Sequence, residues 1–179
     1  RWMARSGLEE AERLMAGVNE RPPVTVRANT LRISREALAT RLRDEELADT
    51  DPTSLAPEGL TVRRGGIGRW AAFAAGWCAI QDEASMLIAR LLDPQPGELV
   101  ADTCAAPGTK TTHMAQLMGN RGRIIAMDPH AGRLGLLTQA VSRLGVSIVE
   151  AHAGGVASVS GRWKSRCARG VVEAPCSNL

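Results

Sequence analysis

The stretch Leu99-Val100-Ala101-Asp102-Thr103-Cys104-Ala105-Ala106-Pro107-Gly108-Thr109-Lys110-Thr111-Thr112 decides the fold of this chain. A short apolar run ends in an aspartate, a turn of small residues with Pro and Gly follows, and a helical pattern begins at Lys110. This order predicts a β-strand, a tight turn and a helix N-terminus. The small residues Ala105, Ala106 and Gly108 leave room for a ligand beside the backbone, at the strand end where parallel α/β sheets bind ligands. The free N–H groups of the helix favour an anionic or oxygen-rich ligand.

Two common nucleotide-binding motifs do not fit this turn. A P-loop requires Gly-Lys-Ser/Thr, but Thr109 separates Gly108 from Lys110. The dinucleotide fingerprint G-x-G-x-x-G also fails, because Gly108 is the only glycine in the turn. What remains is a nucleoside-binding turn with one glycine.

The next apolar run, residues 123–128, also ends in an aspartate. Asp128 follows Gly108 by 20 residues, which matches the ~20-residue spacing at which a strand-end carboxylate reaches a ribose diol. Capping of the following helix is the alternative role for this side chain. The preceding turn favours the ribose role.

Length and composition limit the class of protein. With 179 residues, 44% of them hydrophobic, the chain can bury a core as one large domain or two small ones. The sequence contains no apolar run of the ~18 to 20 residues that a membrane span needs, and we expect a cytoplasmic protein. Because the chain begins at Arg1 and stops soon after a Pro-Cys pair, we expect it to be part of a longer protein. The cysteines form no C-x-x-C pair, which argues against zinc and disulfides (Cys78, Cys104, Cys167, Cys176).

The first part of the chain predicts a small α+β module over residues 1–78. An apolar stripe predicts an amphipathic helix, residues 24–30 alternate as a half-buried strand does, Ser34 is a candidate N-cap, and residues 60–63 predict another strand. The module is rich in arginine, and the net charge of +3 permits nucleic-acid binding without requiring it. Nearby carboxylates and the scarcity of aromatic residues favour a solvated face over a phosphate track. These arginines are Arg27, Arg32, Arg35, Arg41, Arg43, Arg63, Arg64 and Arg69.

The second part, residues 79–179, alternates strand and helix patterns. Gln81-Asp82-Glu83 precedes a helix with the stripe Ala84, Leu87, Ile88 and Leu91, after which come the opening strand and turn. Further strands are predicted over residues 123–128, 147–151 and 170–173, separated by helical patterns, one of which Gly145 ends. This alternation predicts a doubly wound parallel sheet.

Five ordered motifs carry a family resemblance across the chain. They are residues 26–31 (Val-Arg-Ala-Asn-Thr-Leu), 81–85 (Gln-Asp-Glu-Ala-Ser), 102–111, 143–145 (Arg-Leu-Gly) and 174–177 (Ala-Pro-Cys-Ser). Together they resemble the Nop/Sun/Fmu family of RNA cytosine-C5 methyltransferases, most of all the bacterial Fmu/Sun type that acts on small-subunit (16S) ribosomal RNA. The resemblance implies a Rossmann-like domain that binds S-adenosylmethionine, preceded by a small α+β RNA-recognition-like module.

The resemblance also implies roles for individual residues. The backbone of the turn would wrap the cofactor, and Asp128 would hold the ribose hydroxyls. The position that faces the adenine is Gly154 here instead of Asp, and the acid before Ala-Pro-Cys is Glu173 instead of Asp. The residues of the cofactor turn are Cys104, Ala105, Ala106, Pro107, Gly108, Thr109 and Lys110, where Thr109 replaces a second glycine.

The chemistry of cytosine methylation requires a cysteine. Carbon 5 of cytosine is a poor nucleophile until a thiolate adds to carbon 6. Cys176 is the candidate by type, but the resemblance implies that it helps to release the product and that the main nucleophile lies in a later Thr-Cys motif. We expect that motif beyond Leu179, and we expect no methyl transfer from the 179 residues alone.

Three hypotheses follow from the sequence. The first is the amino-terminal part of the catalytic region of an S-adenosylmethionine-dependent rRNA cytosine-C5 methyltransferase, monomeric, with ribosomal RNA as partner and with neither a metal nor a membrane. The second is a degenerate methyltransferase-like RNA-binding protein without catalysis, suggested by Gly154 and Glu173. The third, a small-molecule methyltransferase, is disfavoured by the arginine-rich module.

Overall fold

The fold comprises two four-stranded sheets, each with its own helices. The computed structural model describes residues 2–19 and 22–174. In chain order the elements are α1 (Trp2–Ser6), α2 (Leu8–Asn19), β1 (Thr25–Ala28), α3 (Arg35–Glu46), β2 (Asp49–Pro52), β3 (Gly59–Arg64), a 3₁₀ turn (Ile67–Arg69), α4 (Ala71–Ala74), β4 (Cys78–Ile80), α5 (Glu83–Leu92), β5 (Leu99–Asp102), α6 (Thr109–Leu117), β6 (Arg123–Asp128), α7 (Ala131–Leu144), β7 (Val149–Ala153), α8 (Val156–Trp163) and β8 (Arg169–Val171).

The first sheet is antiparallel and forms the small module. Its strand order is β2-β3-β1-β4, and Val26 at its centre pairs with Leu60 on one side and Ile80 on the other. Helix α3 begins where Ser34 was expected to cap it, since the Ser34 hydroxyl accepts a hydrogen bond from the Ala37 N–H at 3.1 Å. Buried Val26 and Leu60 pack with Leu38, Leu42 and Trp70 to form the module's core.

The second sheet is parallel, with the strand order β7-β6-β5-β8. Strand β5 lies at the centre, and the chain first moves outward through β6 and β7 and then returns to the other side of β5 with β8. This arrangement confirms the predicted doubly wound, Rossmann-like α/β fold. The order also places the carboxyl ends of β5, β6 and β8 side by side.

Three elements show features that the sequence pattern did not indicate. The predicted amphipathic helix forms as α2, but its apolar stripe is largely exposed, since Leu8, Leu14, Met15 and Val18 remain 43% to 72% accessible and only Ala11 is buried. The predicted buried stripe of α5 is wrong, because Ser85, Met86 and Ala89 face the core while Leu91 is 85% exposed. Residues 49–52, which have no alternating apolar pattern, form the edge strand β2 and are mostly exposed.

The boundary between residues 78 and 79 stays a prediction. Strand β4 begins at Cys78 and runs to Ile80, and all of it pairs with β1 in the first sheet. The family resemblance and the two separate sheets both indicate two modules. Strand β4 belongs to the first module and leads directly into α5 of the second.

Candidate cofactor site

A pocket lies where the parallel strands end. It has a volume of about 410 Å³, which is within the range of ~300 to 1,000 Å³ that small-molecule sites occupy. The turn after β5, the end of β6 and the segment after β8 supply its walls. The lining residues are Asp102, Cys104, Ala105, Ala106, Pro107, Thr109, Lys110, Asp128, Pro129, His130, Arg133, Glu173 and Ala174.

The turn after β5 is fixed by a glycine and by hydrogen bonds to β6. Gly108 has φ = +105°, a left-handed conformation that glycine adopts without strain. A Cβ atom at this position would lie 2.6 Å from Leu137 Cδ1 and 3.2 Å from Leu137 Cα. The N–H of Ala105 donates to the Met127 carbonyl at 2.8 Å, so the turn rests directly on β6. Gly108 therefore shapes the pocket from behind without lining it.

Asp128 lies at the base of the pocket and is 2% exposed. One carboxylate oxygen accepts from the Ala106 N–H at 3.2 Å, and the other accepts from the His130 N–H at 2.9 Å. These bonds use two of the roughly four acceptor sites of a carboxylate. The helix-capping alternative is not observed, because His130 is the N-cap of α7 and no side chain of the described residues caps this helix; at this end of α7, Asp128 bonds only to the His130 N–H just before it. Two acceptor sites are left for a ligand. The ribose role stays a prediction.

Asp102 is the second carboxylate of the pocket. It is 3% exposed, and its Oδ2 accepts a hydrogen bond from the Thr111 hydroxyl at 2.7 Å. Burial raises the pKa of Asp102, while the Thr111 hydroxyl, the Cys104 N–H and the charge of Lys110 act in the opposite direction. A carboxylate held in this way can accept hydrogen bonds from an amine or a hydroxyl of a ligand.

Lys110 and Glu173 both line the pocket and form an ion pair. The Lys110 side chain is mostly buried and points from the first turn of α6, whereas Glu173 follows β8 and is half-exposed. The acid before Ala-Pro-Cys is thus placed opposite the lysine of the turn. Together they put one positive and one negative group in the lining of the pocket.

The remaining predicted site residues, Gly154, Cys104 and Cys176, differ in their position relative to the pocket. Gly154 follows β7 with φ = +129°, and its N–H donates to the Asp128 carbonyl at 3.0 Å, beside the pocket but outside its lining. Cys104 lines the pocket as a free thiol. Cys176 lies outside the described residues, and its proposed role in product release stays a prediction.

A buried polar layer between the two modules was missed by sequence reasoning. Arg27 and Asn29 from β1 and its end are fully buried, although the alternating pattern predicted that the polar side chains of this strand face solvent. The Asn29 amide donates to the Gly76 and Leu144 carbonyls at 2.7 and 2.8 Å, and its oxygen accepts from Gln116 at 3.0 Å. The signal was present in the quoted motif 26–31, because both residues belong to it.

The same layer contains an acidic group paired with a histidine. Glu58 Oε1 lies 2.7 Å from His113 Nε2, and Glu58 also accepts from the Arg90 guanidinium. Burial alone would raise the pKa of Glu58, but His113 and Arg90 outweigh it and lower the pKa to about 2. Burial lowers the pKa of His113 to about 4, against the opposing effect of Glu58. We therefore describe the pair as a carboxylate beside a neutral imidazole near pH 7.

The surface arginines of the small module are largely paired with carboxylates. Arg63 contacts Asp51 at 2.7 Å and Arg64 contacts Asp49 at 3.0 Å, and both pairs are exposed. Three further arginines of the same set pair in the same way (Arg35 with Glu36, Arg41 with Glu45, Arg43 with Asp44). These contacts agree with the solvated-face interpretation.

Among residues 2–19 and 22–174, neither a metal-ligand cluster nor a membrane-spanning helix is found. In these ranges no three His, Cys, Asp or Glu side chains come close enough together to hold a metal ion. None of the helices described there combines the length and the apolar character that crossing a membrane requires.

Comparison with known proteins identifies the family to which the chain is similar. Residues 89–179 match the family described as 16S rRNA methyltransferase RsmB/F, and residues 1–66 match the RsmF/B-like ferredoxin-like domain. The probable ribosomal RNA small subunit methyltransferase B of Synechocystis sp. is 37% identical over 176 residues, which cover 97% of this chain and 39% of the relative. The 26S rRNA (cytosine-C(5))-methyltransferase nsun-1 of Caenorhabditis elegans is 38% identical over 144 residues, covering 79% of this chain and 22% of the relative.

A solved structure supports the fold independently. A methyltransferase homolog protein from Pyrococcus horikoshii is 35% identical and superposes with a TM-score of 0.87, over 96% of this chain and 56% of that chain. Fold and site therefore define a Rossmann-like methyltransferase domain preceded by a ferredoxin-like module. The chain belongs to the RsmB/F family of 16S rRNA methyltransferases, which confirms the resemblance to Nop/Sun/Fmu proteins. It spans about two fifths of the length of the bacterial relative.

Proposed function

We propose that this chain supplies the cofactor-binding part, with its adjoining ferredoxin-like module, of an S-adenosylmethionine-dependent rRNA cytosine-C5 methyltransferase. The observation that carries the proposal is the pocket at the ends of β5, β6 and β8, in a chain of the RsmB/F family. Ribosomal RNA is the proposed substrate because the relatives are named for it. The cytoplasmic location and the monomeric state stay predictions.

The residues present fit this cofactor. Ala105 and Ala106 keep the wall beside the turn free of bulky side chains, and Asp128 retains unused acceptor sites for a diol. Asp102 is a buried carboxylate that can accept from an amine. When bound, S-adenosylmethionine supplies an activated methyl group on a sulfonium. The protein binds and orients it, and the Lys110–Glu173 pair places opposite charges in the pocket lining.

Calorimetric titration of the chain with S-adenosylmethionine tests the proposal. We expect saturable binding that Asp128→Asn weakens about tenfold, because the substitution removes a charged acceptor and keeps the shape. Asp51→Asn is the matched control, since it removes a carboxylate that pairs with Arg63 on the surface of the small module. Thermal unfolding with and without the cofactor gives a second readout.

Two results would contradict the proposal. If the wild-type chain does not bind S-adenosylmethionine but retains salt-dependent binding to RNA, the second hypothesis, a non-catalytic RNA-binding protein, is favoured instead. If Asp128→Asn and Asp51→Asn weaken the binding of S-adenosylmethionine equally, Asp128 does not contact the cofactor.

A further inference from the structure

Arg27 links the small module to the helix that borders the pocket. The residue lies on β1, in the first sheet, and no part of it is exposed to solvent. Its Nη1 donates to the Thr109 carbonyl at 2.8 Å, and its Nη2 donates to the Thr112 hydroxyl oxygen at 3.0 Å. Nη1 also donates to the side-chain oxygen of Gln81. The guanidinium thus reaches across the boundary of the modules to the first turn of α6.

The first turn of α6 is the part of the helix that faces the pocket. Thr109 and Lys110 both line the pocket, and Thr112 closes the turn by donating its hydroxyl to the Gly108 carbonyl at 2.7 Å. Arg27 therefore binds the turn at both of its ends. A displacement of this turn would move the Lys110 side chain relative to Glu173 and Asp102.

The stability of the fold does not by itself explain an arginine at this position. A buried cation beside a helix N-terminus opposes the helix dipole, and the loss of hydration costs free energy. Burial lowers the pKa of Arg27 to about 9, which reflects that cost. Among the described residues its Nε finds no acceptor. Apolar residues of similar volume often replace buried charges without loss of stability.

We propose that Arg27 is a positioning residue of the pocket, which holds the first turn of α6 from the small module and so sets the placement of Thr109 and Lys110. The link between this placement and cofactor affinity rests on the proposed function. The module that precedes the methyltransferase domain is then a structural part of the cofactor site, in addition to any contact it makes with RNA.

Arg27→Lys tests the proposal, with Arg143→Lys as the matched control. A lysine ammonium cannot reach both Thr109 and Thr112 in the fixed fork geometry of a guanidinium. Arg143 also crosses between the modules, from α7 to the Phe73 and Cys78 carbonyls at 2.6 and 2.9 Å, and neither of these acceptors belongs to α6. Both variants exchange one arginine of the layer for lysine.

Hydrogen exchange and cofactor titration provide separate readouts. In the chain without cofactor, we expect Arg27→Lys to accelerate exchange of the Thr112 and His113 amides about tenfold. We also expect the Kd for S-adenosylmethionine to rise about fivefold. Arg143→Lys should leave both quantities unchanged. A uniform structural defect would instead accelerate exchange throughout the second module in both variants.

The outcomes separate this inference from the proposed function. Unchanged exchange at the start of α6 in Arg27→Lys, equal acceleration in both variants, or faster exchange with an unchanged Kd would each overturn the inference. If the wild-type chain does not bind S-adenosylmethionine, the proposed function fails, and the exchange measurement still decides whether Arg27 holds the turn.

A milder pair of variants covers the case that Arg27→Lys does not fold. Thr112→Val removes the acceptor of Arg27 Nη2 and nearly preserves shape. Thr138→Val is its control, because the Thr138 hydroxyl donates to a carbonyl four residues earlier in α7, at 3.0 Å, as Thr112 does in α6. Faster exchange at the start of α6 in Thr112→Val supports the inference when Thr138→Val leaves that turn unchanged. No difference between the two variants overturns it.

Discussion

Gly108 is the residue whose replacement we expect to disturb the cofactor turn most directly. Alanine at φ = +105° is strained, and its Cβ would meet Leu137 at 2.6 to 3.2 Å. We expect Gly108→Ala to lower the free energy of unfolding by about 2 kcal/mol. We also expect weaker binding of S-adenosylmethionine, because the turn must move away from α7. Urea unfolding and calorimetry measure the two effects.

Gly135 provides the control for this substitution. It lies within α7, and a Cβ atom there would meet nothing within 4 Å. Gly135→Ala should therefore stabilise the chain by up to about 1 kcal/mol through helix propensity and leave cofactor binding unchanged. Equal stability of Gly108→Ala and wild type would show that the turn tolerates a side chain.

At the scale of single elements, α6 shows why part of the site escaped prediction. Its sequence pattern predicted a helix, but Thr111, Thr112, His113 and Gln116 are buried in it along with the apolar Met114. Polar residues on a helix are expected to face solvent unless other groups bond to them. Here the partners come from distant elements such as β1, and the spacing of residues within α6 contains no information about them.

The strand-turn-helix around Gly108, by contrast, was predictable because its cause is local. Strand β5, the positive-φ glycine and the start of α6 all follow from residues within 20 positions of one another. Asp128 was also placed correctly at a strand end beside the turn, since parallel strands end at one edge. The buried stripe of α5 was predicted wrongly because this helix has more apolar residues than its neighbouring elements cover, so the pattern alone does not show which of them are buried.

The contact between His113 of α6 and Glu58, which precedes β3, makes the stability of the chain depend on pH. Unfolded Glu58 and His113 take up protons near their ordinary pKa values, whereas in the folded chain these values lie at about 2 and about 4. The unfolded state therefore binds more protons on acidification, and the free energy of unfolding falls as the pH decreases. The His113 contribution is lost from about pH 6.5 to 4, and the Glu58 contribution from about pH 4.5 to 2.

Glu58→Gln isolates the carboxylate part of this dependence. We expect a loss of about 2 kcal/mol in the free energy of unfolding at neutral pH, because Arg90 and His113 lose a buried charged partner. The difference from wild type should shrink as the pH falls from about 4.5 toward 2. Denaturant unfolding across this range measures it, with the exposed Glu9→Gln as control. A difference that is independent of pH would contradict the ionised state of Glu58.

The molecule as a whole is organised by the layer between its two sheets. Three of the motifs that carried the resemblance, those around Arg27, Gln81 and Arg143, meet in this layer. None of their residues lines the pocket at the ends of the parallel strands. The residues of a family motif can therefore hold two modules together, as well as bind a cofactor or take part in catalysis. The sequence could show that these residues belong together, but only the fold shows what they contact.

The charge distribution over the whole molecule limits how the small module can bind RNA. Arg63 and Arg64 pair with Asp51 and Asp49 on neighbouring strands β3 and β2. We expect the chain to bind a short single-stranded RNA with a shallow salt dependence. Replacing both aspartates with asparagine frees two cations, and the slope of log K against log salt should steepen by about 1.4, which is ~0.7 for each of two phosphates.

The matched control for this double variant carries the same change in net charge. Glu9→Gln with Glu12→Gln removes two exposed carboxylates from α2, away from the two aspartates on β2. Long-range attraction would steepen the slope equally in both double variants, whereas release of paired arginines affects only the aspartate variant. Fluorescence titrations at several salt concentrations distinguish the two cases. Equal slopes in all three proteins would show that Arg63 and Arg64 do not contact RNA even when their carboxylate partners are removed.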